Sequence, residues 1–153
     1  MIEAPELVEL PIQPVARIHL DIPSSEIRSV MGPGIREIYE TLGAQGIKPA
    51  GAWLTHHLQK PGERFVFEIC VPIAGNLKPS GRVEPGNLRA TKAARALYTG
   101  PYEGLGNAWG QHLRAIEAKG WKTAEDLWEV YLVGPESTQD ESKYQTELVR
   151  PLL

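Results

Sequence analysis

Glu129 is the residue of this sequence whose setting could do chemistry. It lies in Leu127-Trp128-Glu129-Val130-Tyr131-Leu132, a run of strand formers with apolar or aromatic residues on both faces. The two-residue period of a strand sets the carboxylate beside Leu127 and Tyr131 on a partly apolar surface. Burying an unpartnered charge costs on the order of several kcal/mol. Such a Glu is therefore protonated, paired inside the protein, or held for a cationic or polar ligand, unless this face is wet and the carboxylate solvated. An aromatic lining favours the ligand, because cations also gain from ring faces. The same carboxylate in an apolar cleft could instead act as general base on water, with Tyr131 or Tyr102 positioning or protonating a leaving group.

Most aromatic side chains must serve as core simply because large apolar bodies are usually buried. The candidates for ligand contact are those on the Glu129 face and at the inner ends of the helices: Trp53, Tyr102, Trp109, Tyr131 and Tyr144. A metal site is not expected. His56 and His57 are adjacent, so on a strand they point to opposite faces, and His19 and His112 have no ligand-like spacing. Cys70, in an apolar run, reads as a small buried hydrophobe. No Gly-x-Ser-x-Gly elbow, phosphate-binding loop or dinucleotide fingerprint is present, so no cofactor is expected. Gly32-Pro33-Gly34 and Gly104-Leu105-Gly106 read as kinks and helix packing.

The elements that must position these residues are short. A strand split by Pro11 and Pro14 resumes at Val15–Leu20, and Pro23-Ser24-Ser25-Glu26 opens a helix that Gly32-Pro33-Gly34 is expected to break or kink. Ile35, Ile38, Tyr39 and Leu42 continue its apolar face to Gly43 or Gly46. Strands are expected over Gly51–Leu58 and Arg64–Ile73, then a Pro/Gly-rich loop over Asn76–Asn87 and a strand over Leu88–Tyr98. Pro101 opens a second helix with Tyr102, Leu105, Trp109, Leu113 and Ile116 on one face, which stops near Gly120. Strands over Leu127–Val133 and Tyr144–Arg150 follow, separated by the polar loop 134–140.

Strand, helix, strand, strand thus occurs twice. Residues repeat with it. Glu68-Ile69-Cys70-Val71-Pro72-Ile73 matches Glu147-Leu148-Val149-Arg150-Pro151-Leu152 at an offset of 79, and Ala16-Arg17 matches Ala94-Arg95 at 78. Each helix ends in a Gly-apolar-Lys triplet, Gly46-Ile47-Lys48 and Gly120-Trp121-Lys122, at an offset of 74. Self-similarity at nearly one period indicates a duplicated unit. The expected fold is α+β: two pseudo-twofold-related, SHS2-like repeats over about 6–75 and 86–153 of a single domain. Their strands are antiparallel, with two main helices and a cleft between them.

Composition narrows the partners. The chain has 153 residues, long enough to bury a core without disulfides or metals. Sixteen basic and nineteen acidic residues give a formal charge of −3 with no basic run, which argues against direct nucleic-acid binding. No apolar segment approaches membrane-spanning length, and the acidic start Met1-Ile2-Glu3-Ala4-Pro5-Glu6 is unlike a signal peptide, so a cytoplasmic location is expected.

Three segments, Tyr98-Thr99-Gly100-Pro101-Tyr102-Glu103-Gly104-Leu105, Trp128–Leu132 and Tyr144–Leu152, together resemble the GyrI-like family. That family shares its ligand-binding domain with the effector-binding regions of bacterial multidrug-sensing transcription activators. The resemblance implies two strand-helix-strand-strand repeats with a ligand cleft between the helices. It places Glu129 where those relatives carry a glutamate for cationic aromatic drugs, with Tyr131 and Tyr144 lining the same cleft and Tyr102 and Trp109 matching less closely. It further implies a stand-alone form, since the first repeat begins almost at residue 1. The expected function is binding of small amphipathic or cationic aromatic compounds. The alternatives are a hydrolase of small electrophilic toxins that uses Glu129 as base, and a protein-level modulator of DNA gyrase contacting it through an exposed apolar patch or an acidic loop such as Glu136–Glu141.

Overall fold

The computed structural model describes residues 1–153. The elements follow in the order β1 (Glu6–Leu10), β2 (Gln13–Pro23), α1 (Ile27–Ala44), β3 (Leu54–His57), β4 (Arg64–Pro72), β5 (Glu84–Leu88), β6 (Thr91–Thr99), α2 (Leu105–Ala118), β7 (Leu127–Val133) and β8 (Gln145–Pro151). The fold is α+β with antiparallel strands and two main helices, as the periodicities require.

The duplication holds at the level of elements. β1, β2, the 3₁₀ turn and α1 begin at 6, 13, 24 and 27; β5, β6, the second 3₁₀ turn and α2 begin at 84, 91, 102 and 105, each 78 residues on. The residues that betrayed the repeat have structural jobs. Arg17 pairs with Glu84 and Glu68, both at 3.2 Å. Its counterpart Arg95 pairs with Glu6 at 2.8 Å and Glu147 at 3.5 Å. Each triad ties three neighbouring strands through its central arginine: Glu84 and Glu6 are exposed, the arginines and Glu147 partly buried, and Glu68 buried. The Gly-apolar-Lys triplets are helix ends. Gly46 and Gly120 adopt φ of 68° and 74°, a left-handed conformation that glycine enters without steric cost, and the next residue's N–H returns to Leu42 or Ile116 five positions back.

The chain forms two compact units, Pro11–Ala90 and Met1–Leu10 with Thr91–Leu153. In the first, β3, β4, β2 and β5 pair in that order. Ala16, Ile18, Phe67, Ile69 and Val71 meet Ile38 and Leu42 of α1 in its core. α1 buries Gly34, Ile38 and Leu42, one residue per turn along a single face. It runs unbroken through Pro33, so of the break or kink expected there the break is absent. Proline deletes one backbone hydrogen bond there, and packing of the partly buried Ile27, Val30 and Met31 before it and the buried Ile38 and Leu42 after it outweighs that loss. Gly34 is a packing glycine: a Cβ there would lie 2.6 Å from Cδ1 of Ile69.

The expected loop over Asn76–Asn87 contains a strand. Glu84–Leu88 pairs with Gln13–Arg17 despite Pro85 and Gly86, which β5 tolerates as a strand with β2 as its only ladder partner. Gly86 leaves room for the Arg17 guanidinium, 2.8 Å from where a Cβ would stand. In the second unit the order is β1, β6, β8 and β7. Tyr98, Leu127 and Leu148 pack under Ala108 and Trp109 of α2. The N-terminal strand thus completes the unit built otherwise from residues 91–153.

A candidate ligand site at Glu129

The site lies within the second unit, on the face of β7 and β8 that packs under α2. Register pairs Glu129 with Leu148 and Tyr131 with Thr146, and α2 projects Trp109 onto the same face. Glu129 is partly buried and accepts two hydrogen bonds, from the Trp109 indole Nε1–H at 2.7 Å and the Tyr131 hydroxyl at 2.6 Å. Both donors are neutral, and no Lys or Arg pairs with the carboxylate. Burial pushes the Glu129 carboxyl above its usual range, and the two hydrogen bonds only partly oppose it. Of the readings open from sequence, an internal ion pair is therefore excluded. The group is a partly buried carboxyl with two neutral donors and no countercharge.

Tyr102 and Tyr144 extend the cluster. The Tyr102 ring sits edge-on to Tyr131, with centroids 5.9 Å apart, and tilted against Tyr144 at 4.9 Å. Its hydroxyl is buried with no hydrogen-bond partner. Burial, then the charges of Glu136, Tyr144 and Glu129, push its pKa up to about 12. Tyr98 secures the turn that carries Tyr102: its hydroxyl donates to the Pro101 carbonyl at 2.8 Å. Beyond Tyr131 the β7–β8 ladder slips by one residue, which re-aims the chain into the loop at Gly134.

Glu129, Tyr131, Tyr102, Tyr144 and Trp109 are thus brought together in one unit. Trp53 belongs to the unit of residues 11–90, where it packs partly buried against that unit's core. The sequence reading passed over Thr146, fully buried beside Tyr131 with its hydroxyl unpartnered, because a Thr in a strand carries no distinguishing pattern. Two surface hollows, of about 520 Å³ beside Gln13, Ile73 and Asn76 and about 290 Å³ beside Arg95, Leu97 and Leu132, do not include the cluster. The first presents no charged group, and in the second Arg95 is already paired with Glu6 and Glu147. No three His, Cys, Asp or Glu side chains are grouped to hold a metal.

A family model, the GyrI-like small molecule binding domain, matches residues 3–153. The chain belongs to this family. The GyrI-like domain is similar in structure to the EcmrR C-terminal domain, with a TM-score of 0.88 and 22% identity over 100% of this chain and 98% of that one. Against EcmrR in its DNA complex it spans only 57% of the longer chain, at a TM-score of 0.86 and 23% identity over 99% of its own length. SAV2435 bound to tetraphenylphosphonium matches with a TM-score of 0.66 and 13% identity, over 99% and 94% of the two chains. A hydrolase from Listeria innocua matches at 0.70 and 12%, over 98% and 92%. At such identities the likeness carries the fold alone. No curated protein matches the chain. No helix is long and apolar enough to cross a membrane.

Proposed function

We propose that this GyrI-like domain binds small amphipathic or cationic aromatic compounds, with Glu129 meeting the positive charge and Tyr102, Trp109, Tyr131 and Tyr144 supplying ring surface. The observation that carries the reading is the missing countercharge: a partly buried carboxyl held by Trp109 and Tyr131, both neutral. A cationic ligand stabilises the ionised form that burial penalises, and ring faces add to its attraction. The ligand-bound state of SAV2435, a protein of the same fold, is consistent with this use of the scaffold.

The raised carboxyl also favours a second reading, a hydrolase in which Glu129 is general base and the unpartnered Tyr102 hydroxyl aids the leaving group. One titration separates the two. Wild type and Glu129→Gln are compared against cationic dyes and small electrophiles, following dye fluorescence and product formation. Binding without turnover, weakened in the variant, is the expected result. Turnover abolished with binding retained makes the hydrolase reading correct, and no difference in either assay removes Glu129 from both.

A further inference from the structure

The loop after β7 brings a second carboxylate to this site. Gly134 is buried, and the place of its absent side chain is hemmed by two oxygens: a Cβ there would stand 2.6 Å from the Tyr102 hydroxyl and 3.0 Å from Oε2 of Glu136. The Glu136 carboxylate and the Tyr102 hydroxyl therefore share one small gap. Tyr102 has Tyr131, whose hydroxyl is bonded to Glu129, against its ring, and Glu136 at its hydroxyl end. Glu136 is exposed, unlike Glu129, and Tyr102 presents its buried hydroxyl to it without donating a hydrogen bond to any group. Among the charges that keep the Tyr102 proton in place, after burial itself, Glu136 ranks ahead of Glu129.

We propose that Glu136 is the second carboxylate of the Glu129 site, and that the site prefers ligands carrying two separated positive charges over singly charged ones. The inference rests on the reading of Glu129 as the ligand's countercharge. A single cation held at Glu129 leaves Glu136 solvated; a second cationic group, reaching along Tyr102, meets Glu136 at the exposed edge of the site. One such pair changes affinity by about three- to tenfold, and salt weakens it.

The test is isothermal titration of the full chain with tetraphenylphosphonium and with a butane-linked bis(triphenylphosphonium), for wild type, Glu136→Gln, Glu129→Gln and Glu141→Gln. Glu141 is an exposed carboxylate of the next turn and is not among the charges acting on Tyr102, so its variant makes the same change in net charge. The expected result is a three- to tenfold preference for the dication that Glu136→Gln removes. Glu141→Gln keeps the preference, and Glu129→Gln weakens both probes. Equal affinities for the two probes in wild type, or a Glu136→Gln effect matched by Glu141→Gln, overturns the inference and leaves the Glu129 reading intact. If Glu129→Gln changes neither probe, the functional reading fails and this inference fails with it.

Discussion

Replacing Glu129 with Gln removes its charge and preserves its shape. The Trp109 indole nitrogen can only donate, so the amide oxygen must face it; the amide NH₂ then faces Tyr131, whose hydroxyl oxygen can accept. Both contacts, 2.7 and 2.6 Å in the wild type, survive in the variant. Stability therefore reports the charge alone. A carboxyl raised on folding binds its proton more tightly in the folded state than in the unfolded one. Wild type accordingly loses stability as the pH rises from the ordinary carboxyl value of 4.5 through the folded value, and Gln does not.

Each unit by which folding raises the carboxyl is worth about 1.4 kcal/mol, and each kcal/mol moves the melting temperature of a chain this long by about 2–4 °C. Scanning calorimetry should thus find Gln level with wild type near pH 4 and a few degrees more stable at neutral pH. Cation binding should fall by about tenfold or more over the same change, as expected for loss of a partly desolvated charge partner. A side chain that costs stability and supplies affinity is the signature of a binding site. A Gln variant less stable than wild type at neutral pH, or a stability gap that does not move with pH, refutes this reasoning.

Gly34→Ala should lower stability by about 1 kcal/mol in urea unfolding: overpacking against Ile69 costs roughly 1–3 kcal/mol and helix propensity returns about 1. With Ile69→Val removing the Cδ1 atom, the same substitution should become stabilising; an equal loss in both backgrounds sinks the packing argument. His57 is buried between Phe65 and Phe67, and burial, then neighbouring His56, lowers its pKa to about 4 from 6.5. Because the folded state disfavours its charged form, its contribution is complete above pH 6.5 and is lost as the pH falls toward 4, by about 3 kcal/mol. His57→Phe should flatten that part of the pH–stability profile, and an unchanged profile contradicts the assignment. Cys70 is fully buried and its thiol is pushed up by burial, so a thiol-reactive reagent should label it only on unfolding; labelling at the rate of a free peptide thiol would show the strand is open.

The sequence by itself determined the duplicated architecture. The pairs that revealed it, Arg17 with Arg95 and Glu68 with Glu147, turned out to be paired ion triads, and the glycine triplets turned out to be helix ends. Such features depend on short-range spacing, which a single chain displays directly. Three others required the tertiary structure. β5 was unreadable because Pro85 and Gly86 mark a turn by local preference, and only pairing with β2 and the bulk of Arg17 make them fit a strand. α1 stays whole across Pro33 because its face packs on the core on both sides of the proline, partly buried before it and buried after it.

Glu129 was visible as a carboxylate on an apolar strand, but whether it was wet, paired or poised depended on Trp109, twenty residues earlier, and on Tyr131 at its side. Propensity is set by neighbours along the chain. The charge state of a carboxyl is set by which side chains exclude its water and which donors reach it, and only the folded packing brings those together.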